Sequence, residues 1–111
     1  MCIFCEIAAG NIPSAKVFEN DKILAFRDIN PQAPVHVLVI PKEHIPSADG
    51  INRENSGIIS EIFENIPLIA SSEGLKNGYR IISNCGPDAC QSVGHLHFHI
   101  LGGKQLTEKM D

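Results

Sequence analysis

Histidine alternates with large apolar side chains in His95-Leu96-His97-Phe98-His99-Ile100-Leu101, up to the last position. In an extended chain successive side chains point to opposite faces, so His95, His97 and His99 fall on one face and Leu96, Phe98 and Ile100 on the other. Same-face neighbours lie roughly 6.5 to 7 Å apart, near enough for one small group such as a phosphate or a metal to touch two of them. Imidazole, with an unperturbed pKa of about 6.5, works near neutral pH as nucleophile, acid, base or metal ligand. Two chemistries follow. A neutral imidazole can attack an electrophile through a covalent intermediate. Alternatively, His-x-His on a strand with a third histidine can hold a metal that activates water. A plain solvent face is the reading without chemistry, but such faces draw a mixture of Lys, Glu, Thr and Ser.

A second reactive set stands at the start of the chain. Cys2-Ile3-Phe4-Cys5 is a C-x-x-C, which fits either half of a metal site or a redox pair, and no thioredoxin-like context accompanies it. Cys85 and Cys90 have no comparable ligand partners and read as free thiols.

The elements that must position these groups are legible from periodicity and breakers. Cys2 to Ala9 makes a short helical turn, ended by Gly10-Asn11 and the Ile12-Pro13 step. Lys16 to Glu19 and Lys22 to Arg27 form a hairpin about Asn20-Asp21, and Pro34 to Ile40 a third strand with Val35, Val37 and Val39 on one face. Apolar residues then recur at three- and four-residue intervals from Ile58 to Ala70, an amphipathic helix that Pro67 should kink or end, with Gly74 or Asn77-Gly78 as the stop. Tyr79 to Asn84 and His95 to Leu101 are the last strands, joined by a ten-residue loop, Cys85 to Gly94, longer than a hairpin needs and therefore a candidate for function. The expectation is one α+β domain over residues 1–111. An antiparallel sheet of about five strands carries one long helix and a short N-terminal helix on one face, with a partner subunit covering what remains.

Composition narrows the function classes. With 43% apolar and 20% charged residues the chain has the balance of a globular protein. Its longest apolar run, Val35 to Ile40, is interrupted by His36 and is far too short to cross a membrane. A net charge of −4 argues against a broad polymeric nucleic-acid footprint, so any phosphate is handled by a few placed groups. No basic segment followed by an apolar run opens the chain, and the expected location is cytoplasmic with reduced or metal-bound thiols.

The pattern His-φ-His-φ-His-φ-φ, with φ apolar, is met at all seven positions from His95 to Leu101 and resembles the histidine triad (HIT) family of nucleotide hydrolases and transferases. Ala25-Phe26-Arg27-Asp28-Ile29, Pro31-Gln32-Ala33-Pro34-Val35-His36, Val39-Ile40-Pro41-Lys42, Gly78-Tyr79-Arg80, Gln91-Ser92-Val93 and Leu101-Gly102-Gly103 are similar to successive blocks of the Hint-like branch, in the same order. The resemblance implies a homodimer with one continuous sheet. It also implies hydrolysis at the α-phosphate of purine nucleoside 5′-phosphoramidates, releasing an AMP-like nucleotide. By that resemblance His97 is the nucleophile, with its second nitrogen held by the carbonyl of His95. His99 and His36 hydrogen-bond phosphate oxygens, and Ser92 helps protonate the leaving group. Asn84 and Gln91 are polar contacts around phosphate and leaving group. Asp28 accepts from the ribose hydroxyls, and Ile12, Phe26 and Ile29 wall the base. On the residues alone, the three apolar positions read equally as core, and Asp28 as a turn cap before Asn30-Pro31. Cys90 stands where the branch usually has glycine, which implies a differently seated loop backbone.

The resemblance also bears on the cysteine pair. With His36, His97 and His99 assigned to catalysis, His44 and His95 are available to complete a tetrahedral zinc site with Cys2 and Cys5, as many bacterial members with this pair do. Buried thiols are the alternative. Two further function classes stand beside the nucleotidyl-histidine enzyme: a His-ligated metal-dependent hydrolase, and a nucleotide-binding regulatory module with incidental turnover.

Overall fold

Asn20 reverses the chain by accepting, through its side-chain oxygen, the N–H groups of Lys22 and Ile23, both at 2.9 Å. That turn joins Lys16–Glu19 (β1) to Ile23–Arg27 (β2). The computed structural model describes all 111 residues and continues with Val35–Pro41 (β3), Gly57–Ser72 (α2), Arg80–Ile82 (β4) and Phe98–Gly102 (β5), after an N-terminal helix, Ile3–Ala8 (α1). Every pairing is antiparallel, in the order β1-β2-β3-β5-β4. The expected α+β class and five-stranded sheet are both present.

Side-chain alternation divides this sheet into two faces. Ile23, Ala25, Val37, Val39 and Ile100 pack beneath Ile62, Ile66, Ile69 and Ala70 of α2. Leu24, Phe26, Leu38 and Ile40 point the other way and meet Phe4 and Ile7 of α1. The helices therefore lie on opposite faces, not on one. The reason is in β2 and β3: both of their faces are apolar, so each needs its own cover. Ile62, Ile66 and Ile69 are each at most 1% exposed, and burial of such a side chain contributes about 1.5–3 kcal/mol.

Pro67 does not end α2, which runs five residues past it to Ser72. Its missing N–H removes the helical bond to the carbonyl of Phe63 one turn back, and Phe63 and Pro67 both lie on the exposed face, where that loss costs least. The stop comes at Gly74, at φ +77°, where Gly74 N–H bonds Ser71 C=O and Leu75 N–H bonds Ala70 C=O in a Schellman turn.

β1 has the expected ends, the other strands shift at one or both ends by one to three residues, and the largest shift carries meaning. The ladder of the triad strand begins at Phe98 rather than His95. Leu96 N–H instead bonds Ile45 C=O at 2.6 Å, and His97 C=O accepts from Ser83 Oγ at 2.8 Å. β4 likewise spans only Arg80–Ile82 of the expected Tyr79 to Asn84, because Ser83 bonds this irregular segment by its side chain.

Candidate active site

The face of the sheet under α1 holds the histidines. β3 and β5 place Leu38 opposite His99, and His36 precedes Leu38 on the same face. The His97 and His99 rings lie 5.0 Å apart between centroids, while the His95 ring, on the irregular stretch before the ladder, turns to the N-terminal cysteines. The face shared by three histidines thus becomes two sites.

His97 is 3% exposed and lies edge-on to Phe4, with centroids 5.2 Å apart. Its Nδ1 donates to the carbonyl of His95 at 2.7 Å. A neutral imidazole carries one N–H and one lone pair, so that bond leaves the lone pair on Nε2. His97 lines a cleft of about 220 Å³ together with His99, Ser92, Phe26, Asp28 and Ile29, so these six expected residues are brought together. Within it Phe26 is 5% exposed, whereas Ile29 is wholly exposed at the rim.

The remaining expected residues stand back from the cleft. His36, 6% exposed, accepts from Gln32 N–H at Nδ1 (3.0 Å) and meets His99 Nδ1 through Nε2 (2.8 Å). Ile12 packs into the cluster beneath α1. Asn84 follows β4 outside the cleft. The Gln91 amide is taken up by the loop: its oxygen accepts from Gly86 N–H at 2.9 Å, and its NH2 donates to Pro46 C=O at 2.8 Å and Val93 C=O at 2.9 Å. Next to it Cys90 itself makes a left-handed turn, φ 61° and ψ 42°, a conformation that glycine adopts without steric cost.

Burial keeps the His36 and His99 rings neutral near pH 7. Burial pushes His99 down to about 4, helped by the neighbouring His97 and His36 and opposed by Asp28. Burial also lowers His36, against the Asp28 carboxylate, whose Oδ2 is 3.5 Å from His36 Nε2. Asp28 Oδ1 accepts from Asn30 N–H at 2.8 Å, the turn cap that its position before Asn30-Pro31 suggested.

Cys2, Cys5, His44 and His95 converge as a second site. Cys2 caps α1, and its sulfur accepts from Cys5 N–H at 3.4 Å, which sets the two thiols side by side. His95 donates through Nε2 to Pro41 C=O at 2.8 Å, so its lone pair is on Nδ1. Around that nitrogen stand Cys2 Sγ at 3.3 Å, Cys5 Sγ at 3.5 Å and His44 Nδ1 at 3.3 Å, and His44 Nδ1 is 3.2 Å from Cys5 Sγ. A single lone pair cannot serve three partners. Zinc bonds of about 2.3 Å to sulfur and 2.0–2.1 Å to nitrogen give tetrahedral edges of about 3.3 Å between nitrogens and about 3.6 Å between nitrogen and sulfur. The donor set and its spacing fit a tetrahedral zinc ion. Burial, and then hydrogen bonding to Cys2, pushes the Cys5 thiol up, so a cation is what would let both sulfurs ionise.

Five contributors are missing from the site residues that the sequence predicts. Gln32 acts through a backbone N–H, which has no side-chain signature. Ser14 borders the cleft with a buried hydroxyl that has no hydrogen-bond partner. Ile3, Phe4 and Ile7 of α1 line the cleft, and only their three- and four-residue spacing hinted that they share a face.

Comparison with known proteins identifies the family. A family model described as the HIT domain matches residues 9–106. A protein named adenylylsulfatase HINT1 from Arabidopsis thaliana is 45% identical over 107 residues, covering 95% of this chain and 73% of that protein. A 14 kDa zinc-binding protein from Zea mays is 44% identical, covering 95% and 84%. The structure of a histidine triad protein from Clostridium difficile superposes with a TM-score of 0.94 at 50% identity, covering 97% of this chain and 95% of that one. The family model spans residues 9–106 and the superposition covers 97% of the chain, and the chain belongs to the histidine triad family, the HIT-domain proteins.

Proposed function

We propose that the protein is a nucleotide hydrolase or transferase acting at the α-phosphate of nucleoside 5′-phosphoramidates or related nucleotidyl conjugates. The observation that carries this reading is the 2.7 Å bond from His97 Nδ1 to the His95 carbonyl, which holds the Nε2 lone pair free in a residue lining the cleft. His97 Nε2 attacks phosphorus, the bond to the leaving group breaks, and the leaving amine takes a proton with the help of Ser92. Water then attacks the nucleotidyl-histidine, the P–N bond to His97 breaks, and a nucleoside monophosphate leaves. His99 stabilises the charge that develops on the phosphate oxygens, a placement worth about 2.7–4 kcal/mol per donor in comparable sites. Asp28 binds the ribose hydroxyls, and Phe26 and Ile29 flank a purine. The adenylylsulfatase name of the A. thaliana relative supports an adenylyl-type substrate.

The reading includes two assembly features. Zinc on Cys2, Cys5, His44 and His95 anchors α1 and fixes the backbone of His95, whose carbonyl orients the nucleophile; the zinc-binding name of the Z. mays relative supports it. A second subunit joins at the β4 edge, which pairs only with β5 here, and extends the sheet in the cytoplasm.

The test is rapid-quench intact mass spectrometry with adenosine 5′-phosphoramidate, under conditions that preserve a phosphohistidine-type bond. A transient gain of one adenylyl group, absent in His97→Ala, is expected. Turnover without adduct, abolished by a chelator in folded protein, would replace the reading with metal-activated water. Neither turnover nor adduct would leave a nucleotide-binding module.

A further inference from the structure

His36 is buried, does not line the cleft, and has both ring nitrogens engaged. Gln32 N–H can only donate, and its target at 3.0 Å is His36 Nδ1. That nitrogen therefore holds the lone pair, and in the neutral ring the proton sits on Nε2. His36 Nε2 lies 2.8 Å from His99 Nδ1, so Nε2–H donates and His99 Nδ1 accepts. His99 must then carry its own proton on Nε2, the nitrogen left for the cleft. The reverse polarity, with His99 Nδ1–H donating to His36 Nε2, would put a proton on His36 Nδ1 against the Gln32 N–H. Asp28 Oδ2, 3.5 Å from His36 Nε2, favours the same arrangement by facing an N–H rather than a lone pair.

We infer that the backbone N–H of Gln32 sets the tautomers of His36 and then His99, and so locks His99 Nε2 as a hydrogen-bond donor toward the cleft. Gln32 and His36 are positioning residues that act through His99. A phosphate oxygen only accepts hydrogen bonds, and the lock presents it with a donor already in place, with no ring flip needed as charge develops. The opposite tautomer would aim a lone pair at that oxygen. His99 is thereby a donor and not a base, and His36 serves the phosphate at one remove. The tautomer assignment stands on the hydrogen bonds alone; its catalytic consequence rests on the phosphoryl-transfer reading.

Long-range proton–nitrogen NMR on the histidine-labelled full-length protein near neutral pH reads the tautomers directly. Bare Nδ1 and protonated Nε2 in both His36 and His99 are expected, and a proton on His36 Nδ1 overturns the inference. Gln32→Pro removes the N–H, whereas Gln32→Ala keeps it. Gln32→Pro should mix the tautomers of both rings and lower kcat roughly tenfold at nearly constant KM, less than the 10²–10³ that outright loss of a donor costs; Gln32→Ala should keep the wild-type nitrogen pattern. Mixed tautomers with wild-type kcat in folded Gln32→Pro would overturn the catalytic role. If Gln32→Pro fails to fold, the wild-type spectrum still decides the assignment. A wild-type protein with the expected spectrum but no turnover would instead refute the proposed activity.

Discussion

Cys90 puts a non-glycine side chain into a backbone conformation that favours glycine. It sits at φ 61°, where a non-glycine side chain costs about 1–2 kcal/mol, while glycine would add about 0.5–1 kcal/mol of chain entropy. Cys90→Gly is therefore expected to stabilise the fold by about 0.5–1 kcal/mol, measured as a raised urea midpoint. At the same scale, His36 and His99 titrate below their unfolded value of about 6.5, His99 at about 4, both first because of burial. Between pH 6.5 and about 4 the unfolded chain binds protons that the folded chain refuses. Stability should fall as pH drops through that window and change little from these groups above it. His99→Asn, which has no proton to gain, should flatten the fall in a series of thermal melts, and an unchanged slope would remove His99 as its source.

At the scale of elements, α1 is too short to hold by itself: six residues lie well below the ~12–15 at which an isolated helix becomes even marginal. Two things hold it, the packing of Phe4 and Ile7 on Leu24, Phe26, Leu38 and Ile40, and the contacts of Cys2 and Cys5 with His44 and His95 at its first turn. Since Phe4 stands edge-on to His97, the cluster and His97 share a support. Cys5→Ser should lose zinc from about one per chain by native mass spectrometry and lower Tm by about 10 °C, the equivalent of ~2 kcal/mol in a domain of this size. Chelation of the wild-type protein should do the same, and a Tm that ignores both treatments would leave the cluster as buried thiols. The Cys85 to Gly94 loop is an element in its own right, closed by the three hydrogen bonds of the Gln91 amide, and it delivers Ser92 to the cleft.

For the whole molecule, the open edges of the sheet are decisive. β1 and β4 are the outer strands, and α2 leaves Phe63 at 44% and Leu68 at 61% exposure. Open edges and exposed apolar side chains are the features through which a second copy would associate. Light scattering coupled to size exclusion is expected to give about twice the 12.1 kDa chain mass at micromolar concentration. A stable monomer would refute the sheet-extending dimer.

The sequence by itself determined what period and composition can encode. The period-two run about Val37 and the three- and four-residue spacing from Ile58 to Ala70 specified β3 and α2 because burial of one face rewards only those periods. His-x-His-x-His marked the site because imidazole has few structural reasons to repeat on one face. The family resemblance implied how that face divides, and the tertiary structure supplies the physical reason. His95 faces the cysteines because Leu96 bonds Ile45 and Ser83 bonds the His97 carbonyl, long-range hydrogen bonds that no local pattern records. It also put α1 and α2 on opposite faces, since both faces of β2 and β3 are apolar and the strand pattern alone does not say which helix covers which. The tautomers of His36, His95, His97 and His99 belong to the fold as well. Each is set by a partner far along the chain or by a backbone group, and a ring nitrogen's proton is fixed by geometry rather than by residue type.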